Sequence, residues 1–391
     1  MVITNAQIIN PENGNIRTGF VEIKAGKITR TGDMKDFKYD VPKSEIINAD
    51  FKYLTPGLID AHSHIGMWED SLGFEGADGN EETDPATPQL RAIDAINPAD
   101  PAFKEAYTYG VTTVVTGPGS ANPIGGQLAA VKTYGKRIDK MIVKAPLALK
   151  VAFGENPKTV YNDKNQTPMT RMATAAIIRE ELFKAKEYME NLKKYNDKPD
   201  EEDKPDFDMK LAALLPVLEK KIPLHAHAHR CDDIFTAIRI AKEFDLDLVI
   251  VHCTEGRLIA DELKEDGYPA LIGPIMTDRS KPELKNQTVK TAAALQSAEV
   301  EFAIVSDHPE TPERYLLLSA TAAEGLSGAQ ALKALTTAPA HILGLDDRIG
   351  AIKPGMDADM VVWDAIPTDA PLGKPRMVII DGKIAVNQDK A

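Results

Sequence analysis

The sequence predicts an α/β fold, a (β/α)8 TIM-like barrel inserted in a small β-sandwich built from both chain termini. Three observations lead there. The middle of the 391-residue chain alternates strand-like and helix-like segments, both ends consist of short alternating strands parted by turn residues, and seven of the eight histidines fall where a predicted barrel strand ends.

At the amino end, VITNAQIIN is followed by a PENGN turn and then by GFVEIKAGKITRTG, in which Ala25-Gly26 marks a tight reversal. At the carboxyl end, DADMVVWDAI and RMVIIDGKIAV repeat the pattern, with Asp-Gly as the turn in the second. Neither end has enough apolar surface for a stable sheet of its own, so residues 1–54 and 345–391 are expected to form one discontinuous β domain around a barrel domain at 55–344. The barrel strands are expected at Leu58–His62, Val111–Thr116, Gln127–Lys132, Ala145–Phe153, Ile222–His229, Leu246–Cys253, Ala270–Ile272 and Glu301–Asp307. As eight βα repeats they close into a parallel barrel. Between the fourth and fifth, MTRMATAAIIREELFKAKEYMENLKKY reads as a long amphipathic helix, followed by the solvated linker NDKPDEEDKPDFD and a second helical stretch to Lys221.

Composition narrows the function. With 43% hydrophobic and 27% charged residues the chain is an ordinary globular one, and no apolar run approaches the roughly 18 to 20 residues of a membrane span. A net charge of −13 argues against nucleic acid and anionic membrane surfaces as partners and in favour of a small-molecule substrate. The opening MVITNAQIIN lacks the basic and apolar regions of a secretory signal, and only Cys231 and Cys253 occur, which fits a reducing, cytoplasmic setting. The same composition is compatible with a homo-oligomer.

The candidate chemistry lies at strand ends. Alternate residues of a strand share a face, so His62 and His64 in LTPGLIDAHSH present two imidazoles to one side, which is half a metal site. IPLHAHAHR places His225, His227 and His229 on one face at successive depths, roughly 6.6 Å apart, so a metal bond of about 2.1 Å cannot take in all three. His252 in LVIVHCTEG adds an imidazole from the next strand, and Asp307 in FAIVSDHPE a carboxylate that could bind metal and accept a proton from water.

These motifs, with GVTTVVTGPGS and the closing DDRIGAIKPGMDADMVVWD, resemble the amidohydrolase superfamily in its imidazolonepropionase-like and metal-dependent dipeptidase-like branch, and the resemblance runs over nearly the whole chain. It implies one or two divalent metal ions, zinc suiting the imidazole-rich set, held by His62, His64, His227, His252 and Asp307, with Asp307 also the catalytic proton carrier. It implies that His229 lines the substrate pocket. It further implies a bridging ligand at the end of the fourth strand, either a carboxylated Lys150 or Glu155 in LALKVAFGENPK. A lysine in an apolar mid-strand setting is costly unless modified or paired, which favours Lys150.

Two loops bear on the substrate. The stretch after His64 carries Glu69, Asp70, Glu75, Asp78, Glu81, Glu82 and Asp84 with no basic residue, and could form a lid that favours a cationic group. Against it, Arg230 and the run DRSKPELK, with Arg279, Lys281 and Lys285, could hold a carboxylate. GPGSANPIGG is glycine-rich enough for an anion-binding backbone nest but lacks the pattern of a nucleotide P-loop. The expected activity is metal-dependent hydrolysis of an amide-type carbon–nitrogen bond in a small N-acyl, dipeptide-like or cyclic amide compound. Hydrolytic deamination of a heterocycle is the alternative, and a catalytically silent scaffold of the same fold a more distant one.

Overall fold

In a computed structural model of the chain, which describes residues 1–69, 72–369 and 373–390, the strands fall into two eight-stranded sheets. Strands β1 (Val2–Ile9), β2 (Ile16–Lys24), β3 (Lys27–Asp33), β4 (Ile46–Asn48) and β5 (Tyr53–Pro56) come from the amino end. They share one sheet with β14 (Met360–Trp363), β15 (Met377–Ile380) and β16 (Lys383–Asn387) from the carboxyl end. The join is β5 against β14, antiparallel with Thr55 opposite Val361, and the indole of Trp363 donates to Thr55 Oγ1 at 2.8 Å. Both tight turns anticipated at the ends are present. Ala25-Gly26 has φ of 50° and 79° and Asp381-Gly382 has 48° and 70°, the doubly positive pair that a two-residue hairpin needs to match strand twist. The sheet curls until Ile28 N bonds Met356 O at 2.9 Å, and it encloses Ile3, Ile8, Val21, Ile28, Leu54, Met360 and Ile379.

The second sheet is the barrel: β6 (Leu58–Asp60), β7 (Val111–Thr116), β8 (Ile124–Lys132), β9 (Ile142–Ala152), β10 (Leu224–Ala228), β11 (Leu248–His252), β12 (Ala270–Ile272) and β13 (Phe302–Ile304), paired in chain order. Across the remaining seam, Asp307 N bonds His62 O at 3.0 Å, which brings the last strand end to the first. One expectation is corrected. β8 runs antiparallel to both β7 and β9, so seven strands are parallel and one is reversed. The connections explain it: residues 117–123 and 133–141 are each shorter than the dozen or so residues that a parallel crossover requires, whereas a hairpin fits easily.

Below the mouth the barrel is filled by Ile59, Val115, Leu128, Val249, Val251, Leu271 and Val305, and Leu343, Leu345 and Ile349 plug its lower end. Helices cover the outside. The longest, Arg171–Asp197, starts at Thr170, whose side chain accepts from Ala173 N, and Met209–Leu218 follows the linker with Asp208 as its cap. Barrel and terminal sheet are tied by a buried cation, Lys132 at the end of β8, which bonds Asp357 at 3.0 Å and also Asp359, the two aspartates of the DADM motif.

Candidate metal centre

Side chains from five strand ends converge at the barrel mouth. His62 and His64 follow β6, Lys150 lies in β9, His227 and His229 lie in and just after β10, His252 ends β11, and Asp307 follows β13. Two groups of three bring their ligand atoms within 4.8 Å of one another: His62, His64 and Asp307, and His227, His229 and His252. Asp307 Oδ1 links the groups, lying 3.4 Å from His62 Nε2, 3.3 Å from His64 Nε2 and 3.9 Å from His252 Nε2. Its side chain is 28% exposed while those of the three imidazoles are at most 9%, so solvent reaches the cluster through the carboxylate.

The imidazoles are oriented from behind. His64 Nδ1 lies 2.9 Å from Gly117 O and His252 Nδ1 2.7 Å from Gly273 O; a carbonyl only accepts, so both rings carry their proton on Nδ1 and turn a bare Nε2 lone pair inward. His252 Nε2 is buried there with no hydrogen-bond partner. Hydroxyls hold the other group, Ser120 Oγ at 2.9 Å from His227 Nδ1 and Thr254 Oγ1 at 2.7 Å from His229 Nδ1. Gly117 and Ser120 belong to the GPGS loop, so that loop orients histidines, a role that its glycine content did not reveal.

Burial keeps His62, His227, His229 and His252 neutral, as metal ligation requires. Desolvation, reinforced by neighbouring cations or rings, lowers His252 to about 4, against the opposing pull of Asp307, and holds His62, His227 and His229 well below the usual histidine range. For Asp307 burial acts to raise the pKa, but positive charge beside it, on His252, His62 and His64 when those rings are protonated, outweighs burial and keeps the carboxyl well below its ordinary value; a cation held by the neutral rings would act in the same direction. Lys150 is wholly buried, pairs in register with His225, sets Nζ 3.1 Å from His62 Nε2, and is brought down to about 8 by burial. It forms no ion pair among the described residues. Buried imidazoles, with the inward Nε2 of His252 left without a partner, an ionised carboxylate and a buried amine make a donor set that fits one or two divalent transition metals.

Several expectations change. His229 stands within the ligand group instead of apart from it along the pocket, because the rings of His227 and His229 tilt to centroids 4.7 Å apart. His225 lies deeper, fully buried, with neither ring nitrogen hydrogen-bonded. Glu155 does not join the cluster; as the first residue of the helix Glu155–Asp163 it turns its carboxylate to Glu283 N, 3.5 Å away. Arg230 is closed off by a bidentate bond to Asp232 at 2.9 and 2.7 Å, two residues along. Arg279 is exposed and donates to Gln287 O, whereas Lys281 does reach the cluster's rim, donating to Asn156 Oδ1 at 2.8 Å. The acidic loop is largely spoken for: Glu69 accepts from Asn97, Glu82 from Lys164 and Asp84 from Lys210, so those carboxylates pin the loop down; Asp70 lies outside the described residues. Sequence reasoning also missed Glu283, a buried carboxylate whose Oε1 lies 3.6 Å from His229 Nε2, within a run read as basic.

Residues 53–385 match the amidohydrolase family. The amidohydrolase tasK of Hapsidospora irregularis is 31% identical over 93% of the chain, which spans only 39% of that relative's length. Imidazolonepropionase of Paracoccus denitrificans is 25% identical over 90% of the chain and 89% of its own length. Among solved structures, that of an amidohydrolase from Thermotoga maritima MSB8 superposes with a TM-score of 0.93 at 43% identity, covering 99% of this chain and all of the other (100%). A barrel whose strand ends gather histidines around an aspartate, in a chain matched over most of its length, thus belongs to the amidohydrolase family, hydrolases of carbon–nitrogen bonds other than ordinary peptide bonds.

Proposed function

We propose that the protein hydrolyses an amide-type bond in a small N-acyl, dipeptide-like or cyclic amide substrate, using one or two divalent ions, zinc by preference of the donor set. The observation that carries this reading is the placing of Asp307 Oδ1, on a partly exposed side chain, at 3.3 to 3.9 Å from the Nε2 atoms of His62 and His64 of one ligand group and His252 of the other. His62, His64 and Asp307 would hold one ion and His227, His229 and His252 another, with Lys150, carboxylated on its amine, joining the two groups. An ion held there polarises a carbonyl and lowers the pKa of water toward neutrality. Asp307, ionised, takes the proton of the attacking water and passes it to the leaving nitrogen. His64 and His252, each tied by Nδ1 to a backbone carbonyl, keep ring orientation fixed throughout. Lys281 supplies a cation at the rim that favours a substrate carboxylate. Residues 1–54 and 345–391 form the supporting β domain of this scheme, and 55–344 the catalytic barrel.

The test couples metal analysis to a substrate panel of N-acyl amino acids, dipeptides and cyclic amides. Turnover that a chelator removes and a divalent metal restores, with at least one ion per chain, is expected. Release of free ammonia from a heterocycle in place of amide cleavage would make the protein a deaminase, and absence of both bound metal and turnover would overturn the reading.

A further inference from the structure

Glu283 has no part in the scheme above, yet its carboxylate is among the most deeply placed near the mouth. It lies in the short 3-10 turn Pro282–Leu284, within the run DRSKPELK that follows β12. Its side chain is 1% exposed, whereas that of Lys281 beside it is 38% exposed. The loop is locked to the end of β9: Glu155 N donates to Glu283 Oε2 at 3.0 Å, and the Glu155 carboxylate reaches back to Glu283 N at 3.5 Å. Gly154 makes that approach feasible, since a Cβ there would stand 2.8 Å from Glu283 Oε2 and 3.0 Å from Asp233 Oδ2, in a backbone already at φ 82°.

The other oxygen, Oε1, is buried and has no hydrogen-bond partner. It faces His229 Nε2 at 3.6 Å and His227 Nε2 at 3.8 Å. Those separations are too long for hydrogen bonds, which run to about 3.2 Å. They approach the edge of a metal polyhedron: four ligands held at about 2.1 Å in a tetrahedron lie about 3.4 Å apart. The carboxylate of Asp307 stands from His62 and His64 at 3.4 and 3.3 Å, so both halves of the site repeat one motif, two imidazole nitrogens and one carboxylate oxygen. Among the described residues Lys281 Nζ is the other cation nearby; it donates to Asn156 Oδ1 at 2.8 Å, and at 3.9 Å it is too far from Oε1 for a hydrogen bond. A buried carboxylate oxygen left without a donor is costly, and a cation among the three atoms removes that cost.

We propose that Glu283 is a metal ligand, and that His227, His229 and Glu283 form a subsite for a divalent transition metal ion, distinct from the one bounded by His62, His64 and Asp307. The proposal rests on the reading of the cluster as a metal centre and adds a ligand from the loop after β12, where the family resemblance placed none. The clamp with Glu155 then has a purpose: it holds a loop carboxylate as firmly as a strand would.

The test compares the full-length chain with Glu283→Gln and Glu283→Asp, each loaded with zinc or cobalt(II). Gln is isosteric, and its amide oxygen can still accept from Glu155 N. Ions per chain are counted by elemental analysis, affinities are measured by chelator competition, and the cobalt(II) absorption spectrum reports loss of a carboxylate oxygen from the ligand set. The expected result is that E283Q keeps one ion at the wild-type affinity and binds the second about a hundredfold more weakly or worse, with an altered cobalt spectrum. E283D, which retains the charge on a shorter arm and serves if E283Q folds poorly, should show a smaller loss in the same ion. Lys281→Met should leave both affinities unchanged. If E283Q and E283D bind every ion as the wild type does, the ligand role is overturned while the metal centre stands; if the wild-type chain binds no divalent metal, both fall.

Discussion

Replacing Asp307 by asparagine separates proton transfer from metal holding. The side chain keeps its size and an acceptor oxygen, and His62 and His64, whose Nε2 atoms lie 3.4 and 3.3 Å from the present carboxylate, remain in place. The charge and the capacity to take a proton are lost. A positioned general base contributes about 10² to 10⁴ in rate, or roughly 3 to 5.5 kcal/mol of barrier, so kcat should fall by at least about a hundredfold. Metal per chain should stay near the wild-type value, because each ligand group retains its histidines. The assay is kcat on whichever panel substrate the wild type turns over, with elemental analysis of the same preparation. Since Asp307 lies well below the ordinary carboxylate range, the wild-type rate should also show no acid limb from this group above about pH 5. A variant within tenfold of the wild-type kcat would refute the proton role, and a variant stripped of metal would reassign Asp307 to ligation alone.

Three further outcomes follow from the geometry. Lys150→Ala should lower metal per chain by about one ion, and the wild type grown with labelled bicarbonate should show a carbamate carbon by NMR; full metal content in the variant would exclude the bridging role. Gly273→Ala would bring a Cβ within 2.1 Å of Val305 O, a backbone atom that cannot swing aside, so destabilisation of roughly 1 to 3 kcal/mol is expected together with weaker metal binding, as the Gly273 carbonyl that orients His252 shifts; unchanged thermal midpoint and metal content would contradict this. His225, lowered to about 3 by burial first and by Lys150 second, stays neutral in the fold while the unfolded chain protonates near 6.5, so stability of the metal-free protein should be lost as pH falls from about 6.5 toward 3. His225→Leu should reduce that slope by about one proton, or about 1.4 kcal/mol per pH unit, as read by denaturant titration at several pH values; an unchanged slope would show that His225 is not a source of it.

How much of this was legible from the sequence depended on whether the signal was periodic. His62, His64, His227, His252 and Asp307 were marked by position at strand ends, and the terminal hairpins by Ala25-Gly26 and Asp381-Gly382. The reversal of β8 was not, because strand periodicity has no direction; only the shortness of 117–123 and 133–141 could have signalled it. Arg230 and Glu155 were misplaced for a common reason. Each has another partner, Asp232 two residues on for the one and Glu283 in the loop after β12 for the other, and the hydrogen bond made there takes the side chain away from the cluster. Glu283 was invisible because its neighbours in the chain are cations, and loop shape decides which member of such a run turns inward.

His252 shows why a strand-end histidine is not simply a strand histidine. In the pairing of β10 with β11, Val249 and Val251 stand beside His225 and His227 on the barrel's inner face, while His252 stands beside Ala228, whose methyl packs into the outer core. A regular pleat would therefore aim His252 outward, under the helices. The backbone departs from that pleat here: His252 has φ of 73° and Cys253 of 48°, left-handed values that ordinary residues avoid at a cost of order 1 to 3 kcal/mol each. The ring that results spans the gap between Gly273 O and Asp307, with the Cys253 side chain filling the outer core in its stead. Asp307, the acid that this ring faces, is itself at φ 55°. The two residues that join the ligand groups are thus both held in strained backbone, and the strain sits where function needs a direction that the sheet alone would not supply.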